Sequence, residues 1–448
     1  MRNNKITVQQ ADLGGRAAIH RFFVLLHTWA GLLIAPFILL AAITGLIYVF
    51  SPQIDAYLHA DLDTVVPGAV SQSLDRQVAA AQAARPDLQL HFVVPAYRAA
   101  ETTQVFLRGH SHHGAVHDHG LPQDQIVYVN PYTAHVLGVA GEMSRFRNWS
   151  RKLHSSLLQG NGWRWLIELA ASWMLVFMFT GLYLVWMRFR VQQRSMWQLF
   201  VPCSSDGRRG WREWHGKLPL LFFPVLLIIV VTGLTWSQQS GDKFRHLQQD
   251  LHQGSPKFPK NIETVAAGVP LSMQAVYAQA LQVAPAIQMQ LTPPKSPADV
   301  WRIENYDRNQ PSKRFLLALD ASNGKPRFQS GWQDYPLLAK ATAVGIPFHR
   351  GDFGWWNQLL LAAVALLVMF GVLSAYVMWW QRPADQRWQF AAMPIRHWRA
   401  LPLWLWLLLP VLAYAMPVLG ISLLILALLE WGRIKVINKN LRGREAEQ

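Results

Sequence analysis

Five stretches of the chain are almost wholly apolar, and large polar segments follow the first and the third. Residues 22–50, 169–187, 218–240 and 353–381 carry no Asp, Glu, Lys or Arg. At about 1.5 Å per residue, a helix over each crosses a hydrocarbon core about 30 Å thick. A fifth run, 400–429, is interrupted by Pro402, Pro410 and Pro417 and reads as one kinked helix or a short hairpin. The polar segments have their own periods. In the first, Leu74, Val78 and Ala81 give 73–85 a helical face, and alternation marks strands at 90–94, 104–107 and within 126–137. In the second, 271–284 is the helix, 300–304 a strand, and 315–328 a strand, turn and strand. Each is a small α+β unit.

The two halves repeat. Laying 22–50 over 210–238 brings His27, Pro36, Thr44, Gly45 and Leu46 onto His215, Pro224, Thr232, Gly233 and Leu234 without a gap. Apolar helices often share composition, but a histidine, a proline and a Thr-Gly-Leu run at fixed spacing point to duplication. The return helices match more loosely, Thr180-Gly-Leu-Tyr-Leu-Val-Trp-Met-Arg188 against Ser374-Ala-Tyr-Val-Met-Trp-Trp-Gln-Arg382. The predicted fold is an α-helical integral membrane protein. Its four-helix bundle has a pseudo-two-fold axis along the membrane normal, with a C-terminal helix or hairpin and two α+β domains.

Charge sets the expected orientation. The net charge of +16 would suggest nucleic acid in a soluble chain, but 51% of residues are hydrophobic and the arginines cluster beside the apolar runs. Arg16 and Arg21 precede the first; Arg188, Arg190, Arg194, Arg208, Arg209 and Arg212 fill the link between the second and third; Arg382, Arg387, Arg396 and Arg399 follow the fourth. The positive-inside rule makes these segments cytoplasmic and puts both α+β domains on the other side. The expected order is a cytoplasmic N-terminus (1–21), a first span (22–50), a first domain (51–147) and an outer extension with the second span (148–188). A cytoplasmic link (189–212), a third span (213–238), a second domain (239–348) and a fourth span (349–381) follow. A link (382–399), the C-terminal helix or hairpin (400–431) and a basic cytoplasmic tail (432–448) end the chain. The single cysteine, Cys203, excludes an internal disulfide, and no Cys-x-x-Cys-His is present for covalent haem.

Helix direction places the histidines at two depths. His27 and His215 fall at the cytoplasmic ends of the first and third spans, His154 and His349 at the outer ends of the second and fourth. One imidazole at a membrane boundary is ordinarily a headgroup or capping contact. Four, related in pairs by a duplication, also fit the axial ligands of two six-coordinate haems, one near each face. Zinc would want four ligands at one point, and no carboxylate or thiol accompanies either pair. Thr44-Gly45 and Thr232-Gly233 serve close helix packing, room for a macrocycle, or both. Trp29, Trp149, Trp214 and Trp355 lie near the histidines, as interfacial anchors or as the lining of a cofactor's edge.

These residues resemble the PepSY-associated transmembrane proteins, which include bacterial inner-membrane iron-siderophore reductases. The resemblance rests on Leu26-His27-Thr-Trp-Ala-Gly31 with Thr44-Gly45-Leu46, on Leu153-His154, and on Trp214-His215-Gly216 with Thr232-Gly233-Leu234. Phe348-His349-Arg350-Gly351 and the Trp-Trp-x-Arg-Pro ending at Pro383 complete it. The polar segments look like PepSY modules, with an Asp-x-x-x-Gly turn at Asp320 to Gly324 that the first copy replaces by Asn130-Pro-Tyr-Thr-Ala. The resemblance implies two haem b groups bound by His27, His154, His215 and His349 in the inner membrane, and periplasmic modules. It also implies outward electron transfer to a ferric siderophore or other ferric chelate. The donor would be a quinol or a separate reductase, and no acid, base or nucleophile is required. No nucleic-acid partner is implied.

His110, His112, His113, His117 and His119 form a glycine-flanked insertion in the first domain. It reads first as a solvated variable loop, and alternatively as a site that captures a transition metal. Two other classes compete with the reductase: a non-enzymatic metal-handling or regulatory membrane protein, and a transporter. Against transport, Glu168 and Glu430 lie near span ends rather than at mid-membrane.

Overall fold

A computed structural model describes residues 15–109, 124–192, 200, 206–262, 269–284, 286–296, 299–307, 309–387 and 395–446. The chain begins with helix α1 (Gly15–Val49), short α2 (Ser51–Leu58) and α3 (Leu74–Ala84). Strands β1 (Gln89–Val94), β2 (Thr103–Arg108), β3 (Gln125–Val129) and β4 (Val136–Gly141) follow. Helices α4 (Phe146–Ser156), α5 (Trp165–Gln192), α6 (Gly207–Leu221), α7 (Phe223–Thr235) and α8 (Gln239–Asp250) lead to the second set. That set is α9 (Met273–Val283), β5 (Met289–Thr292), β6 (Val300–Asn305), β7 (Phe315–Asp320) and β8 (Pro326–Gly331). Helices α10 (Leu337–Arg350), α11 (Trp355–Trp380), α12 (Leu403–Ala415) and α13 (Pro417–Ala446) complete the chain.

These elements form two compact units. A helical unit takes Met1–Leu46, His154–Leu247 and Trp356–Gln448; a sheet unit takes Ile47–Leu153 and Gln248–Trp355. Among the described residues, four helices are long and apolar enough to cross a membrane: Gly15–Val49, Asn161–Val191, Trp355–Trp380 and Pro417–Lys435. The pair α6–α7 makes a fifth if it counts as one span. The protein is a multi-pass helical membrane protein.

The core of the helical unit is built from one stripe of each major helix. Ala30, Ile34 and Ile38 of α1 recur every fourth residue, as do Leu226, Val230 and Leu234 of α7, and both stripes join Leu169, Trp173, Val364 and Val372. Trp173 is fully buried, and its indole N–H donates to Ser422 of α13 at 2.8 Å. The 400–431 stretch is a hairpin. Leu405 at the start of α12 packs on Ala18 and Phe22, α12 ends at Ala415, and α13 returns until Arg433 lies over the Trp29 ring.

Pro36 lies within α1 without breaking it. Proline has no N–H for the carbonyl four residues back, here Leu32. The Tyr376 hydroxyl of α11 donates to that carbonyl at 3.0 Å. Within the expected third span, 213–238, α6 and α7 meet at Phe222 with a bend of 71°. Pro219 and Pro224 remove two donors within six residues, and Leu182, which aligns with Tyr376, has no hydroxyl to satisfy the freed carbonyl.

The expectation of two separate α+β domains is also corrected. All eight strands form one antiparallel sheet in the order β4-β3-β2-β1-β5-β6-β7-β8, joined where Val93 of β1 pairs with Leu291 of β5. One hydrophobic cluster runs beneath both halves, from Leu74, Val78, Val105 and Val127 to Val276, Ile303, Leu317 and Leu319. The helices over it cap one another. Asp75 of α3 accepts from Met273 N and Gln274 N at 2.8 and 3.1 Å, while Gln274 Oε1 accepts from Leu74 N at 2.9 Å. β5 lies in a stretch where periodicity predicts no strand, because four residues show too little alternation to register.

Candidate functional site

The histidines are held by three hydroxyl-bearing positions. His27 lies in a single π-helical turn of α1, Leu26–Ala30, which shifts the register of the residues beyond it. Its Nδ1 is 2.9 Å from Thr180 Oγ1 on α5. Thr180 already spends its hydroxyl proton on the Val176 carbonyl at 2.7 Å, so it faces the imidazole as an acceptor. Nδ1 therefore carries the proton, and the lone pair of neutral His27 falls on Nε2. Gly181 makes room for the ring: a Cβ there would lie 3.2 Å from His27 Cε1.

His154 is held the same way. Its Nδ1 lies 3.0 Å from Thr44 Oγ1, and Thr44 donates to the Leu40 carbonyl at 2.8 Å. A Cβ at Gly45 would lie 3.3 Å from His154 Cε1. Two Thr-Gly dipeptides on different helices thus each receive an imidazole, with the hydroxyl fixing the tautomer and the glycine giving clearance. His215 Nδ1 is 2.9 Å from the Gly371 carbonyl and 3.0 Å from Ser374 Oγ on α11. A carbonyl only accepts, so His215 is also protonated on Nδ1.

His27 and His215 come together. Their ring centroids are 6.2 Å apart and their planes cross at 85°. The edge of Phe177 closes one side of His27 at 5.6 Å. Two metal–nitrogen bonds of about 2 Å, each extended by an imidazole radius of about 1.2 Å, put ring centres about 6 Å apart. The separation, the tautomers and the glycine clearance fit two axial ligands of one haem iron. Among the described residues, no group of three or more His, Cys, Asp or Glu side chains could hold a metal ion, so the pair stands apart from a zinc-type site.

His154 and His349 each end a short helix that precedes a span. His154 lies in the last turn of α4, and the chain breaks at Leu157 and Leu158 with φ of 51° and 63° before α5. His349 lies in the last turn of α10, which Gly351 ends in the left-handed conformation. His349 belongs to the sheet unit and His154 to the helical unit. His110, His112, His113, His117 and His119 lie outside the described residues, as does Cys203.

Trp149, Trp214 and Trp355 are exposed, which suits interfacial anchoring better than lining a buried cofactor. Glu168 is buried and caps α8, accepting from Gln239 N at 2.9 Å and from Ser240 N and Oγ at 2.7 and 2.6 Å. Glu430 pairs with Arg433 at 2.8 Å. Sequence reasoning missed the roles of Thr180, Gly371 and Ser374. The signal was there in the return-helix match, which sets Thr180 against Ser374, but it read as a shared aromatic-arginine ending.

Spans, sheet and paired imidazoles define a polytopic membrane protein in which His27 and His215 face each other. The chain belongs to the family described as the PepSY-associated TM region, whose model matches residues 24–382. No curated protein matches it.

Proposed function

We propose that the protein is a haem-containing reductase of a bacterial inner membrane that carries electrons outward to a ferric chelate, such as a ferric siderophore, and releases iron as Fe(II). The observation that supports this most is the His27–His215 pair, with ring centres 6.2 Å apart and both Nδ1 atoms bonded away from the gap's ligand role. Bound haem b would supply a one-electron couple within an apolar surround. His27 and His215 would hold it through Nε2. Thr180, Gly371 and Ser374 orient those rings and hold a proton on Nδ1, and Phe177 limits water on one side. The sequence repeat makes His154 a candidate ligand of a second haem, with Thr44 fixing its tautomer, and His349 is its counterpart in the second copy.

The chemistry at the chelate balances simply. One electron converts chelated Fe(III) to Fe(II), which hard oxygen donors hold weakly, and the chelator leaves intact. The electron comes from a quinol or a separate reductase on the cytoplasmic side. Arginine clustering in the links supports a periplasmic sheet unit.

An absorption spectrum of the purified protein tests the proposal. The expected result is a Soret band, a dithionite-reducible α band and a haem-to-protein ratio of about two. His27→Ala and His215→Ala should each remove the same haem and spare the other. A colourless protein, or two variants that lose different haems, sinks the reading.

A further inference from the structure

Helix α13 turns most of its surface outward: 6% of its apolar stretch is buried, against at least 33% in the other three long spans. It adds little to the core, and its inward line is narrow, with Leu419, Leu423 and Leu426 joining the cluster of the helical unit. Two polar contacts reach across from that side, and both lead to His27. The first is the Trp173 indole N–H, which donates to Ser422 Oγ at 2.8 Å. Ser422 spends its own proton on the Leu419 carbonyl at 2.8 Å, so it meets the indole as an acceptor, as Thr180 meets His27. In the second, the Arg433 guanidinium lies 5.4 Å from the centre of the Trp29 ring, held there by Glu430 at 2.8 and 2.9 Å.

Each contact ends on a part of the His27 mounting. Trp173, Phe177 and Thr180 lie on one face of α5, three and four residues apart. Trp173 packs on Phe177 with centroids 5.4 Å apart, Phe177 meets the imidazole edge-on at 5.6 Å, and Thr180 holds its Nδ1 at 2.9 Å. The hydroxyl fixes one atom of the ring, and Phe177 blocks its swing about the bond to the main chain. Trp173 has no exposed surface, so Ser422 decides how the indole, and through it Phe177, is turned. Trp29 belongs to the π-helical turn Leu26–Ala30 that carries His27, and Arg433 covers it. The hairpin lies beyond residue 382, where the match to the family ends, so the match does not carry this arrangement over.

We propose that the C-terminal hairpin is a strut for the His27 ligand, in which Ser422 and Trp173 are positioning residues that keep the imidazole crosswise to His215 and Arg433 pins the turn behind it. This deepens the haem reading of that pair and rests on it. The angle between two axial imidazole planes sets how each overlaps the iron d orbitals, so a fixed ring plane fixes the electronic character of a haem bound there. The same rigidity limits how far the ligand reorganises when an electron arrives or leaves.

The test is the electron paramagnetic resonance spectrum of the oxidised full-length protein in detergent, together with the rate at which a haem scavenger strips the His27–His215 haem. Crosswise imidazoles give a strongly anisotropic low-spin signal and parallel ones a rhombic signal. The unaltered protein should show the anisotropic one. Ser422→Ala and Trp173→Phe should each move it towards the rhombic form and speed haem loss, about threefold and about tenfold. Ser422→Thr keeps the acceptor and should restore the signal, and Ser422→Ala placed on Trp173→Phe should add nothing further. An unchanged signal in Ser422→Ala overturns the proposal, as does a shift that appears equally in every haem signal, which reports a loosened bundle. Arg433→Gln, at the end of the unit, gives the same reading if Trp173→Phe does not fold. Failure of the haem reading shows separately, as a missing Soret band in the unaltered protein. The strut is then read from His27 itself, by NMR of isotope-labelled histidine: its Nδ1–H should exchange slowly in the unaltered chain and faster in Ser422→Ala, and equal exchange overturns the proposal.

Discussion

The two copies of the repeated helix solve one problem differently. In α1 the proline leaves the Leu32 carbonyl open, Tyr376 fills it, and the helix runs on to Val49. For the second copy's proline the aligned position, on the first copy's return helix, is Leu182; Pro219 is added where the first copy has Gly31, and the chain bends by 71° at Phe222. Yet the histidine that precedes each proline is anchored by the return helix of its own copy, through Thr180 in one case and Ser374 with Gly371 in the other. The backbone path has diverged while the placement of the imidazole has not. Selection of that kind points to the ring position rather than to the span.

Four changes would break or sharpen the comparison. The largest effect is expected for Gly181→Val. Its added methyls would drive into His27, whose Cε1 is already 3.2 Å from a simple Cβ, at a cost of about 1–3 kcal/mol. The second copy has alanine at the aligned position, so Ala375→Gly should cost only the helix-interior glycine penalty of about 0.5–1 kcal/mol; thermal unfolding in detergent compares the two. Next comes Thr180→Val, which takes the acceptor from His27 Nδ1 at a cost of about 1–2 kcal/mol. Ser374→Ala should cost less than half as much, because the Gly371 carbonyl still accepts from His215. Equal losses from the two would show that the hydroxyls act through packing alone. Tyr376→Phe ranks third, at about 0.6–1.7 kcal/mol for a hydrogen bond between membrane helices. The smallest effect lies in the sheet unit. Ala134 adopts φ of 57° where the second copy has Gly324 at 67°, so Ala134→Gly should stabilise by about 0.5–1 kcal/mol in a denaturant titration.

Much of this architecture is legible in the sequence because the signals are local. Charge-free runs locate four of the membrane helices, and the helical face of Leu74, Val78 and Ala81 falls within α3. Asn130 and Asp320 both form the turns their residue types favour: Asn130 Oδ1 accepts from Tyr132 N and Thr133 N, and Asp320 Oδ1 from Ser322 N and Asn323 N. The unbroken passage of α1 through Pro36 and the seam between β1 and β5 are not local. Each depends on what a distant segment supplies, whether the Tyr376 hydroxyl or the free edge of another strand. Composition and period are blind to such partners. For the same reason the sequence points to His27 and His215 but not to the residues that aim them.

The seam has a further meaning. β1 and β5 are corresponding strands of the two halves, and they meet antiparallel across Val93 and Leu291. Like strands meeting edge to edge in opposite directions is the self-complementary contact of a symmetric dimer. A half-length ancestor would have exposed that edge and closed it by pairing with a second copy of itself. Fusion of two such halves would turn an association that depended on concentration into a covalent one and free each half to drift: the first carries Leu182 where the second has Tyr376, and the second carries the bend at Phe222.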